Sequence, residues 1–88
     1  MIISEFTPDK IESLPTDIQK LVWRALFYRS QVTMYEREYA LRKDDKIFEK
    51  LNKYREAFKN MQEILNKKCK SKGLESIIIV DWIKKEQR

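Results

Sequence analysis

The chain has 88 residues, 42% of them apolar, ten of them aromatic (two Trp, four Tyr, four Phe), and a formal net charge of +5. A domain of this size buries about 60–65% of its unfolded surface, so it needs well-packed elements or help from oligomerisation. With no His, one Cys and one Gly, it lacks the commonest general base, the usual zinc-ligand sets, and the glycines of a Walker loop or Rossmann fingerprint.

Further classes fall away on pattern. No run approaches the ~18 apolar residues of a membrane span. The first residues lack the basic region and apolar stretch of a signal peptide. One thiol cannot form an internal disulfide and fits a reducing cytosol. The expectation is a cytoplasmic chain (host cytoplasm if phage-encoded) with no cofactor, no metal, no membrane contact and no small-molecule substrate. Enzymatic activity is not expected.

The elements follow in chain order within one domain, 1–88. Met1-Ile2-Ile3 is short and apolar. Thr7-Pro8-Asp9 opens a short helix over 8–14, with Thr7 as N-cap, Pro8 at the first helical position, and Phe6 and Ile11 spaced as a hydrophobic staple. Leu14 precedes Pro15 and is pushed out of the helical region. Thr16-Asp17-Ile18-Gln19 matches a capping box and starts a long helix over 17–43.

That helix carries two apolar faces. Ile18, Leu21, Ala25, Tyr28, Val32, Tyr35 and Tyr39 recur at threes and fours, as one helical stripe requires. Nearly opposite lie Trp23, Phe27, Met34 and Leu41. A helix of a small domain needs only one stripe for its own core. The second must be covered by the terminal segments or by another molecule, and its length of about 27 Å at 1.5 Å per residue favours another molecule.

Past Tyr39 the first stripe would continue onto Arg42, Lys46, Glu49 and Lys53, all charged. A new stripe then begins: Ile47, Leu51, Tyr54, Phe58, Met61 and Leu65. The phase changes across Lys43-Asp44-Asp45-Lys46, where two poor helix formers adjoin. A turn there makes an antiparallel hairpin of two helices, each roughly 40 Å long. A continuous coiled coil would instead keep its phase. The Asp44–Asp45 pair suits helix capping better than metal binding.

The second long helix, 46–71, has a polar back in which Glu49–Lys53 and Glu63–Lys67 are spaced as stabilising pairs. Gly73 is its C-terminal cap, with Cys69 and Leu74 at the positions of the Schellman apolar contact. Cys69 is accordingly read as a small packed thiol. The last element, 76–85, is ambiguous. Ile77 to Val80 are four consecutive β-branched residues, which favours a strand, with only Met1-Ile2-Ile3 as a partner. The i,i+4 pairs Ile78–Trp82 and Ile79–Ile83, with Lys84 and Lys85 behind them, favour a helix, and helix is preferred.

Charge supplies a second candidate surface. Residues 46–73 hold nine basic and three acidic groups, a balance of +6, whereas 1–20 hold two and four. Lys53, Lys59, Lys67, Lys68, Lys70 and Lys72, with Arg24, Tyr35, Tyr39 and Arg42 on the first helix, form a candidate contact for nucleic acid or another polyanion. The plainer reading is macrodipole complementation by the lysines and half-buried packing by the tyrosines. No helix-turn-helix or ribonucleoprotein motif accompanies them.

The expected fold is therefore all-α: a long antiparallel helical hairpin with a short N-terminal helix and a short C-terminal element. The expected function is a non-enzymatic protein-interaction module, a small regulator, adaptor or inhibitor. It would act through Trp23, Phe27, Met34 and Leu41 on a second copy of itself, as a dimer, or on a larger protein. Its size and Lys/Ile/Asn usage suit an accessory factor of a phage or mobile element. The alternative is a nucleic-acid-binding protein using the basic surface of 46–73.

Overall fold

The computed structural model describes residues 2–3 and 8–79, and the fold is an all-α hairpin. A two-residue strand β1 (Ile2–Ile3) precedes the short helix α1 (Pro8–Glu12), the long helices α2 (Thr16–Arg42) and α3 (Asp45–Ser71), and a second short strand β2 (Ile78–Ile79). The molecule extends 43 Å along its longest axis, about the length of a 27-residue helix at 1.5 Å per residue. The two long helices therefore define its long dimension.

The hairpin turns where the phase of the stripes changes. Lys43 adopts a left-handed conformation (φ 55°) and its N–H donates to the Tyr39 carbonyl at 2.8 Å, ending α2. Asp44 is extended, and its carboxylate accepts from the Lys46 N–H at 2.8 Å, which caps α3. At the other end of α3, the Leu74 N–H donates to the Cys69 carbonyl (2.9 Å) and the Gly73 N–H to the Lys70 carbonyl (3.1 Å). That is the Schellman pair of bonds, and Gly73 supplies the positive φ of 72° that the motif needs.

The start of α2 differs from the capping box expected at Thr16. The helix begins at Thr16 itself, Pro15 stands at the N-cap, and no side chain caps it. Pro15 has no N–H for a capping-box side chain to reach, so the Gln19 side chain turns elsewhere. It donates instead to the carbonyls of Leu14 (2.7 Å) and Glu12 (3.1 Å), tying the end of α1 to α2. Thr7 and Phe6, the expected cap and staple of α1, lie outside the described residues.

The preference for a C-terminal helix is overturned over Ile78–Ile79. These residues pair in parallel with β1, Ile2 beside Ile78 and Ile3 beside Ile79. Ile77 and Ile79 are buried while Ile78 is 55% exposed, the period of two that a strand imposes. The Gln62 amide on α3 donates to the Ile77 carbonyl at 2.6 Å and fixes the approach of the strand. A partner for the β-branched run outweighed the i,i+4 spacing. Trp82, Ile83, Lys84 and Lys85 lie outside the described residues.

The main core sits at the open end of the hairpin. Ile11 and Leu14, then Ile18, Val22, Ala25 and Leu26 of α2, meet Met61, Leu65 and Cys69 of α3 under Ile3, Ile77 and Ile79. This moves the buried face of α2 from the expected stripe towards Val22 and Leu26. α3 covers one side of α2 there, and α1 and the strand pair cover the next. Leu21, Tyr28 and Phe58 are only partly buried against this cluster. Nearer the tip, Val32, Ile47 and Leu51 are buried, as is Thr33, whose hydroxyl donates to the Arg29 carbonyl (3.2 Å).

Candidate interaction face

Aromatic rings fill the middle of the α2–α3 contact and decide which tyrosines remain free for other work. Tyr35 stacks on Tyr54 (centroids 5.5 Å apart, planes at 13°), and Tyr39 tilts against Phe48 at 5.1 Å. Tyr28 lies 6.2 Å from Tyr54, and the Arg29 guanidinium stands 5.6 Å above the Phe58 ring. Lys43 and Lys50 each place an ammonium about 6 Å from the rings of Tyr39 and Tyr35. Tyr35 and Tyr39, considered as base-stacking residues, thus spend one face on the interhelix contact.

On the other side of α2 the apolar side chains stay exposed. Trp23 is 45% exposed, Phe27 53%, Met34 40% and Leu41 85%. Spacings of four and seven set them in one row, on the side turned from α3. The Phe27 ring touches the Tyr28 ring (5.7 Å, tilted 60°), so its inner edge is braced by the packed aromatic series. Beside it, Lys20, Trp23, Arg24, Phe27 and Tyr28 line a shallow depression. The sequence reading missed Lys20 here, although it lies one helical turn before Trp23 and Arg24 on the same side. α2 touches β2, yet Trp23 and Phe27 keep these exposures.

The basic candidates divide into two groups. Lys72 contacts both carboxylate oxygens of Asp17 (2.8 and 3.0 Å), and Lys68 lies 3.5 Å from the same group. The hydrogen bond from Lys72, with the charge of Lys68 behind it, holds the Asp17 carboxyl below its ordinary value. Lys68 and Lys72 therefore clamp the end of α3 to the first turn of α2. Lys53, Lys59, Lys67 and Lys70 are exposed along α3, and the last two line a depression with Asn66, Gly73, Leu74 and Ser76. Arg42 is exposed at the hairpin tip, about 27 Å along α2 from Arg24 at 1.5 Å per residue. Arg24 instead belongs with the Trp23 face, so the ten basic and aromatic candidates do not form one patch.

Groups that could carry chemistry are sparse. Among the described residues, no three of His, Cys, Asp or Glu come together in a way that could hold a metal ion. The Cys69 thiol is fully buried and its pKa is pushed up by that burial, which keeps it protonated and unreactive. No described helix is long and apolar enough to cross a membrane. No family model, curated protein or solved structure matches the chain.

Proposed function

We propose that the chain is a non-enzymatic contact protein, a small regulator, adaptor or inhibitor that binds protein through the outer face of α2. One observation carries the reading: four large apolar side chains stand exposed in a row on a helix already anchored on its other side. Two are aromatic, and aromatic anchors dominate association energies. The anchored side makes the row rigid, so little ordering entropy opposes binding.

The test uses Trp23 as its own reporter, with Trp82→Phe leaving it the only indole. In dilute protein, its emission should be that of a solvated indole and should be quenched readily by iodide. Blue-shifted emission protected from iodide in the monomer would mean that the face is closed from within, and would end the proposal.

A second reading rests on the exposed lysines Lys53, Lys59, Lys67 and Lys70, within the segment of charge +6. If these lysines hold nucleic acid, affinity should fall steeply with salt through counterion release, and reversing Lys67 and Lys70 to Glu should abolish it. Lack of binding to DNA or RNA at ~50 mM salt would leave them as a solvated surface.

A further inference from the structure

The exposed row on α2 is charge-complementary to itself. Trp23, Phe27, Ser30, Met34, Arg37 and Leu41 follow one another at spacings of four, three, four, three and four, the a/d seam of a two-helix contact. Resting on the contact reading above, we infer that the occupant of this face is a second copy of the chain, with the two α2 helices antiparallel about a two-fold axis beside residue 32.

Charge selects that arrangement. In a parallel pair, each seam residue meets its own copy, so Arg37 would face Arg37 and Lys20 would face Lys20. Like charges pressed together in this way cost affinity. In the antiparallel pair, seam positions whose numbers add to 64 face each other, and on the flanking edge those whose numbers add to 62 lie side by side. Trp23 then covers Leu41, Ser30 meets Met34, and the Arg37 guanidinium lies over the Phe27 ring as a cation–π contact.

The flank of the seam agrees. Arg24, Gln31 and Glu38 each follow a seam position by one residue and line the same edge. An antiparallel pair brings these edges together, with Arg24 of one copy against Glu38 of the other and Gln31 against Gln31. The two-fold axis makes the Arg24–Glu38 contact twice. Among the described residues, neither Arg24 nor Glu38 forms an ion pair within its own chain. The opposite edge, with Leu26 and Thr33, is buried in the protomer's own core, so only one edge is open for recognition. Seam and edge together run about 27 Å, five turns of helix.

Sedimentation equilibrium of the full chain tests the inference, with circular dichroism to check that each variant stays helical. The parent should sediment at twice its 10.7 kDa monomer mass. Because each reversal is felt at two symmetric contacts, Arg24→Glu and Glu38→Arg should each raise the dissociation constant about tenfold or more. The double variant Arg24→Glu/Glu38→Arg should return it to within about threefold of the parent. A dimer that both reversals weaken but the double variant does not restore overturns the antiparallel register, as does a dimer indifferent to either. A parent that stays monomeric up to millimolar concentration overturns the second copy as occupant. If Trp23 is solvated in that monomer, the contact reading survives and the face belongs to a different protein.

Discussion

Leu65 shows how much one side chain contributes here. It is fully buried in the main cluster, which it shares with Ile18 and Val22 of α2 and with Ile3 and Ile79 of the strand pair. Leu65→Ala should cost roughly 2–5 kcal/mol, through lost transfer energy and the cavity left behind. That is a large share of the 5–15 kcal/mol typical of a whole domain. Urea denaturation followed by far-UV circular dichroism would measure it, and a loss below about 1 kcal/mol would mean that the core end can collapse around the gap. Ile47, Leu51, Met61 and Leu65 were legible from spacing alone, because α3 buries a single arc, which α2 and the strand pair share. Val22, Leu26 and Thr33 were not. α2 is flanked by several elements at its open end, and a wheel cannot say which way the second flank lies. Tyr54 and Phe58 belong to the same stripe but stay half-buried, since rings at the edge of a two-helix contact keep one side in water.

At the scale of the elements, the ends were read less evenly than the interiors. The phase break and the Asp44 cap marked the hairpin, and Gly73 marked the end of α3. The end of α2 carried no such sign, because Lys43 enters the left-handed region without being glycine. The clamp between α2 and α3 was hidden for a different reason. Asp17 and Lys72 are 55 residues apart in sequence, and only the fold makes them neighbours. Its pH dependence follows from the lowered Asp17 pKa. The native carboxyl titrates below its ordinary 3.8, so the clamp stabilises the fold above that value and is lost as pH falls through the native one. Asp17→Asn should therefore flatten the acid limb of the stability profile and change little in its shape near neutrality. Thermal melts of both proteins from neutral to acid pH would check this, and parallel curves would refute the clamp. Both groups face water, so added salt should weaken the difference. The strand at Ile78–Ile79 was misread because the helical and extended patterns coincide over so short a run. Pairing with a segment 76 positions away, Ile2 against Ile78, settled it.

The whole molecule is lopsided. Its largest cluster lies at the end where α2 begins and α3 finishes, and the tip holds few buried residues beyond Val32, Ile47 and Leu51. Opening should therefore begin at the tip. Hydrogen exchange should find the amides of residues 36–46 the least protected of the hairpin, and those of 18–26 and 61–69 protected up to the global unfolding energy. Uniform protection along both helices would contradict this. If the tip proves well protected only in concentrated protein, a neighbour seated against Leu41 and Arg37 is the direct explanation. All-α architecture and the hairpin were readable from periodicity, and so was the unpaired row on α2. The row's use of Lys20 and Arg24 as a charged margin was not, because it depends on which side of α2 the remainder of the chain leaves open.

The parallel union of β1 with β2 also sets a timetable for synthesis. The partner of Ile2–Ile3 leaves the ribosome 76 positions after them, a delay of about 4–15 s at ~5–20 residues per second. Throughout that interval a bare, greasy strand edge is on offer to any other extended chain nearby. The helices can zip together meanwhile from the tip, where their contacts are closest in sequence, but the lid over Leu65 and Cys69 cannot shut. A nascent chain stalled anywhere before Ile78 would carry its main core uncovered, so quality-control proteases should attack copies truncated before Ile78 in preference to copies that carry it.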